Sequence, residues 1–450
     1  MESALTAAAP VADGHDAANK RRLFLICLMA ITTTSMAFGL RTSTAGAIKA
    51  SLFDPINATG SGAMLGSAMS AVFLSFAITL AVGSPLIDAV GMRIVLFICG
   101  ASFLGGTLLV TNADKFASGG GVFNVAWFGL LLHGIGWGCS EAVINPLTTT
   151  LYPDDKTHKL NVLHAWWPGG IIIGALLGLG IDNAGMDWRV KLGIVMLPAI
   201  ILCVLLATTG KFPKTERAAA GISMGEMFKA SLLRPAFYIW FGAMFLTSAA
   251  ELAPGTWVDF ALTRTIGMKG IWLLIYVSGL MFVMRHFAGT VVHKLSSVGL
   301  LWVSCLLAAI GLVALSVADS PVMGFLAATI WGVGVCYMWP TMLAAASERF
   351  PRSGALGMGL IGTAGSLAIW FILPVMGGLY DSKKVEQAGG KEAYEKLAAA
   401  GGDALSAVET AASIASFRIV AIMPAVLLLV FGAVWLNDKR KGGFKPEKII

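Results

Sequence analysis

Ser84-Pro85-Leu86-Ile87-Asp88-Ala89-Val90-Gly91-Met92-Arg93 joins two apolar runs, residues 62 to 87 and 93 to 112. A carboxylate ends the first run, a glycine supplies the tight turn, and an arginine begins the second. Charges placed this way pair with each other and with helix-end dipoles. They can latch one side of a helical bundle and release it when the bundle rocks. Asp88, Gly91 and Arg93 are therefore candidate gating residues.

A turn between apolar runs has this meaning only if the runs cross a membrane, and the composition says that they do. Of 450 residues, 57% are apolar, 13% are charged and 53 are glycine, with a mean hydropathy of +0.79. A water-soluble domain is nearer one quarter charged, so an ordinary soluble enzyme and a disordered chain are both excluded. Spanning about 30 Å of hydrocarbon takes about 20 largely apolar residues in a helix. Twelve runs qualify: 23 to 50, 62 to 87, 93 to 112, 122 to 151, 160 to 181, 190 to 210, 236 to 262, 271 to 292, 298 to 318, 321 to 347, 354 to 379 and 416 to 437. The expected fold is all-α, with twelve transmembrane helices in two pseudo-symmetric six-helix bundles.

The formal charge of +7 does not form a nucleic-acid patch, because the basic residues fall in short groups between runs. With the N-terminus inside, 19 lysines and arginines lie on the cytoplasmic side and 10 on the other. This bias predicts both termini in the cytoplasm and a multi-pass protein of the plasma or inner membrane. The domains read as a tail (1–22), a first bundle (23–210), a basic cytoplasmic linker (211–235) with a short interfacial helix, a second bundle (236–437) and a tail (438–450). Residues 381–415 form an extracytoplasmic insert of one or two amphipathic helices. The six cysteines lie inside apolar runs without metal or redox spacing, so buried thiols are expected.

Charge inside hydrocarbon costs about 2.5–3.5 kcal/mol on insertion scales, so the few intramembrane charges mark function by default. They are Arg41, Glu141, Glu251 and Arg285. Glu141 and Asn145 are four apart and share a helix face, one turn from Pro146. A carboxylate in a partly dry site can take up a proton on one side of a membrane and lose it on the other, which makes Glu141 and Arg41 the proton-coupling candidates. A second reading pairs Glu141 permanently with Arg41 as a strut between helices 1 and 4. Glu251 precedes Pro254, Gly255, Thr256 and Trp257, which should interrupt helix 7 and free backbone groups for a ligand; a kinked packing helix is the alternative. Asn145, Trp167, Glu251, Trp257, Tyr337 and Trp339 form the candidate substrate site. His133 and Trp137 could also face a central cavity, and His164 could relay protons.

The Leu-x-Asp-x-x-Gly-x-Arg spacing, the six-plus-six division and the basic central loop resemble the major facilitator superfamily over nearly the whole chain. Ser84 stands where that family usually has glycine. The family's counterpart motif after helix 8 is degraded to Arg285 and Gly289, followed by His293 and Lys294 with no acid, and on this resemblance Arg285 joins the gating candidates. Within it, Glu141 to Pro146, Pro153, and Leu160-Asn161-Val162-Leu163-His164 with Gly169, Gly170 and Gly174 look like the fucose, galactose and gluconate proton-symporter group and its sodium-linked glucose relatives. The resemblance implies alternating access, a sugar-sized cavity between the halves and Glu141 as the coupling acid. The chain departs from that group at Leu40-Arg41-Thr42, where a second acid is usual. An arginine there is similar to the organic-anion branch, in which the cation receives a substrate carboxylate.

Three functions follow. The first is a proton- or sodium-driven transporter of a sugar-like solute. The second is an organic-anion or sugar-acid transporter that uses Arg41 and Arg285. The third, from another class, is a non-transporting membrane sensor. A monomer in the lipid bilayer is expected, with no cofactor, no metal and no nucleic-acid partner. An enzyme is not, because the chain has no nucleotide-binding glycine loop, metal constellation or nucleophile-base pair.

Overall fold

The computed structural model describes residues 14–57, 61–265 and 271–445. Its long helices are α1 (Gly14–Ile48), α2 (Ser61–Val90), α3 (Met92–Thr111), α4 (Gly120–Leu151), α5 (Lys156–Asn183), α6 (Trp188–Ala207), α7 (Pro235–Thr265), α8 (Ile271–His286), α9 (Ala288–Leu315), α10 (Pro321–Arg349), α11 (Gly354–Gln387) and α12 (Gly402–Arg440). Among the described residues, ten helices are long and apolar enough to cross a membrane; α7 and α8 complete the twelve. The order of runs matches expectation, and the ends differ. α1 begins nine residues before its apolar run, within the polar tail. The expected insert is helical, formed by the end of α11, a short helix (Lys391–Ala400) and the start of α12.

Neighbour relations repeat with an offset of six helices. α1 packs on α5 as α7 packs on α11, α2 on α4 as α8 on α10, α3 on α4 as α9 on α10, and α3 on α6 as α9 on α12. The two lobes meet along α2 with α11 and α5 with α8, contacts that exchange under the same offset. Small residues set these approaches, since lipid gives no hydrophobic drive between helices and close packing must supply it. In α4, Gly138 faces Thr79 of α2 and Gly136 faces Phe103 of α3; in α10, Gly332 faces Val277 of α8 and Gly334 faces Ala308 of α9. The paired glycines let each of these helices fit between two others. Outward faces carry exposed leucines and valines such as Val82, Leu176 and Leu429, as lipid contact requires.

Helix 7 corrects one expectation. α7 runs unbroken through Pro254. A proline removes the N–H that would bond the carbonyl four residues earlier, here Ala250, and the indole of Trp331 takes that oxygen at 3.3 Å. The breaks lie elsewhere. α10 is interrupted between Val335 and Met338, and α9 turns sharply at Ser296 (φ 62°, ψ 166°). The turn divides α9 into a short first piece and the longer apolar piece that follows.

The start of α1, the end of α12 and the linker share one end of the bundle. Asn19 bonds the Lys211 carbonyl, Arg22 bonds Thr208 and Thr209, and Arg349 pairs with Asp438. At this linker end the lobes are in contact. Thr157 of α5 bonds Ser297 and Glu348, the His158 ring accepts the Gly289 N–H, and the rings of Trp166 and Phe282 meet edge to face.

Candidate functional site

The site is a chain of hydrogen bonds that begins on α4. Trp137, Glu141 and Asn145 recur every four residues and share a face. All three are buried, Glu141 being 6% exposed. The Asn145 Nδ2 group donates to Glu141 Oε2 at 2.7 Å and to the Glu141 carbonyl at 3.0 Å, which leaves Asn145 Oδ1 as an acceptor. His164 Nε2 of α5 lies 2.9 Å from that oxygen. With Asn145 Oδ1 as the acceptor, the imidazole donates through Nε2.

From His164 the chain passes to the other lobe. Its carbonyl accepts Arg285 Nη1 of α8 at 2.8 Å. Arg285 Nε donates to the Cys336 carbonyl at the α10 break at 2.5 Å, and Nη2 pairs with Glu251 Oε1 of α7 at 2.9 Å. Arg285 is 1% exposed and Glu251 7%. Two opposite charges thus neutralise each other where neither could remain alone. Glu251 Oε2 is buried and meets no hydrogen-bond partner among the described residues.

An aromatic stack borders the acid. The ring of Trp137 lies on Phe76 at 4.2 Å and on Trp167 at 5.0 Å, and Phe38 abuts Trp167 at 5.6 Å. Rings from four helices of the first lobe thereby gather one turn from Glu141, Phe76 and Trp137 buried and Phe38 and Trp167 half-buried, while hydrogen-bonding groups lie further along the same chain. Flat rings beside convergent polar groups suit a small polar solute with apolar edges.

The remaining candidates are placed as follows. Tyr337 is buried at the α10 break, and its hydroxyl donates to the Met284 carbonyl at 3.1 Å. Trp339 packs against Gly365 so closely that a Cβ there would meet its ring at 2.4 Å. The side chain of Trp257 lies outside the described residues. His133 is buried against α3, where it bonds Thr107 at 3.0 Å.

Arg41 corrects the reading that pairs it with Glu141. It is 4% exposed, stands 5.6 Å from the Phe38 ring, and makes no ion pair among the described residues. Four residues of sequence spacing bring Asn145 to Glu141 without any long-range contact, and Asn145 occupies the carboxylate instead.

The gating residues separate into two places. Gly91 makes the expected turn with φ 95°, ψ 127°, a conformation open to glycine. Asp88 and Arg93 both engage the segment after α6, not each other. Asp88 accepts Arg217 at 2.6 Å and the Thr215 hydroxyl at 2.8 Å, while Arg93 donates to the Thr209 and Gly210 carbonyls. Arg285 is not at this end; it belongs to the Glu251 pair. Sequence reasoning did not single out Arg217, Thr215 or Glu348. Glu348 is held by the hydroxyls of Thr157 at 2.8 Å and Ser297 at 3.0 Å. The basic linker signalled cations within reach of Asp88 at the end of α2, but not which one would bond it.

Solved structures share this architecture. The proton:xylose symporter XylE bound to 6-bromo-6-deoxy-D-glucose matches 93% of this chain and 96% of its own at 15% identity, with a TM-score of 0.74. The transporter FucP in the outward conformation matches 91% and 98% at 17% identity, with a TM-score of 0.69. The human organic anion transporter MFSD10 matches 92% and 99% at 14% identity, with a TM-score of 0.67. At these identities the likeness is one of fold. No curated protein matches the chain. Residues 23–373 match the sequence profile of the Major Facilitator Superfamily. That match covers most of the chain and agrees with the two six-helix lobes, so the chain belongs to the Major Facilitator Superfamily and is a membrane transporter, not an enzyme.

Proposed function

We propose that the protein moves a sugar-like solute by alternating access and couples the movement to a proton held on Glu141. One observation carries this reading: Glu141 is a buried carboxylate whose side-chain partner is a neutral amide, with no cation paired to it among the described residues. An acid without a fixed counter-charge pays for burial unless it is protonated, so its proton occupancy responds to which side of the membrane it faces. The adjoining stack of Phe76, Trp137, Trp167 and Phe38 offers a face to a sugar ring. The unbonded Glu251 Oε2 offers an acceptor to a hydroxyl. Both termini would then lie in the cytoplasm, with the linker end inward, and the protein would act as a monomer in the cell membrane.

The test is uptake by purified protein in proteoliposomes that enclose a pH-sensitive dye. Neutral hexoses and their sugar acids are added one at a time. Proton entry that follows one of these solutes supports the reading; solute uptake with no proton entry contradicts it.

A second reading follows from Arg41, a buried cation without an ion pair among the described residues. A substrate carboxylate would supply the missing charge, as in a sugar-acid or organic-anion transporter. In the same assay, uptake confined to the acids favours it.

A further inference from the structure

Arg285 makes three side-chain bonds, and two of their acceptors are backbone carbonyls, His164 inside α5 and Cys336 at the α10 break. Such oxygens are ordinarily occupied by the N–H four residues on. At both sites that position is a proline: Pro168 follows His164 by four, and Pro340 follows Cys336 by four. Neither has an N–H to give. Pro254 acts in the same way on Ala250, whose oxygen bonds Trp331. Pro146 and Pro424 also lie in helix interiors, yet no side chain of a described residue donates to the carbonyls of Ala142 and Val420.

The guanidinium is a planar fork with fixed donor directions. Nε and Nη2 engage Cys336 and Glu251 of its own lobe, while Nη1 reaches His164 of the other. We propose that Pro168 and Pro340 are positioning residues for Arg285. Pro340 leaves free the oxygen that orients the guanidinium toward Glu251. Pro168 leaves free the acceptor by which Arg285 clasps the opposite lobe. The clasp joins the α5–α8 seam at the point where the chain from Glu141 ends, so opening of the linker end requires Arg285 to release His164. This rests on the reading that the lobes rock apart there during transport.

The test needs no substrate, so it stands apart from the question of what is carried. Spin labels are attached at Asp154→Cys and Lys294→Cys, exposed positions at the linker end of the two lobes, in a chain otherwise free of cysteine and set in nanodiscs. The distance distribution reports the ratio of open to closed forms. Pro168→Ala restores an N–H that reclaims the His164 oxygen, and the open fraction should rise about fivefold, the worth of one hydrogen bond of ordinary net strength. Pro340→Ala should shift it in the same direction, and Pro424→Ala should not. In an Arg285→Gln background, Pro168→Ala should cause no further change. An unaltered distribution in both Pro168→Ala and Pro340→Ala, or an equal shift with and without Arg285, would overturn the assignment. Opening that is present in the parent but ignores both prolines would sink the clasp alone, whereas labels that report no opening in any variant would count against the transport reading.

Discussion

Arg285 Nη2 and Glu251 Oε1 lie 2.9 Å apart, both residues more than nine-tenths buried, and join α8 to α7 beside the seam with the other lobe. Removing one member of such a pair strands the other charge away from water, at a cost of about 3–5 kcal/mol. Glu251→Gln and Arg285→Gln should each lower the thermal unfolding midpoint in detergent clearly. The double variant should be more stable than either single one, because no uncompensated charge remains. A double variant whose loss equals the sum of the two would show that the charges act independently.

Asp88 holds the linker through Arg217 and Thr215. Asp88→Asn keeps the shape and removes the charge, which weakens a charge-assisted bond worth about 1.5–3 kcal/mol. Hydrogen exchange of the linker amides between Thr215 and Gly221 should accelerate by about tenfold. Exchange in the helix cores of α3 and α4 should stay as in the parent.

The α9–α10 contact depends on the absence of a side chain. A Cβ at Gly311 would meet the Trp331 backbone nitrogen at 2.3 Å, and a backbone atom cannot move aside as a side chain can. Gly311→Val should cost about 1–3 kcal/mol by overpacking. It should also disturb the Trp331 bond to the Ala250 oxygen. Gly46→Ala, where a Cβ meets nothing within 4 Å, should leave the melting midpoint unchanged or raise it slightly.

Arg41 separates the two substrate readings. Arg41→Lys keeps the charge but loses the planar two-point contact with a carboxylate. Affinity for a sugar acid should fall more than tenfold in a binding titration if the anion reading holds. Affinity for a neutral hexose should be little changed, and equal losses for both would remove Arg41 from a carboxylate-binding role.

The fold was legible because hydrocarbon is a demanding solvent. Twelve apolar runs, one turn around Gly91 and one basic linker leave few alternatives to a two-lobed bundle. The site was legible only where spacing along one helix decides a contact, as it does for Glu141 and Asn145. Partners brought from distant segments were not: Arg285 with Glu251, Asp88 with Arg217, and Glu348 with Thr157 depend on helix rotations that a single sequence does not encode locally. Pro254 shows a subtler gap. A proline in a helix suggested a break, but a tryptophan from α10 supplies the missing donor and the helix continues. The break occurs in α10, ahead of Pro340.

The central claim concerns the proton on Glu141, and Glu141→Gln addresses it most directly. Glutamine retains an oxygen for the Asn145 amide, so the helix face stays intact while the site can no longer change charge. In proteoliposomes, exchange of labelled for unlabelled solute across the membrane should persist in this variant, and accumulation driven by an inward proton gradient should disappear. Accumulation equal to that of the parent protein, with exchange also intact, would contradict the account.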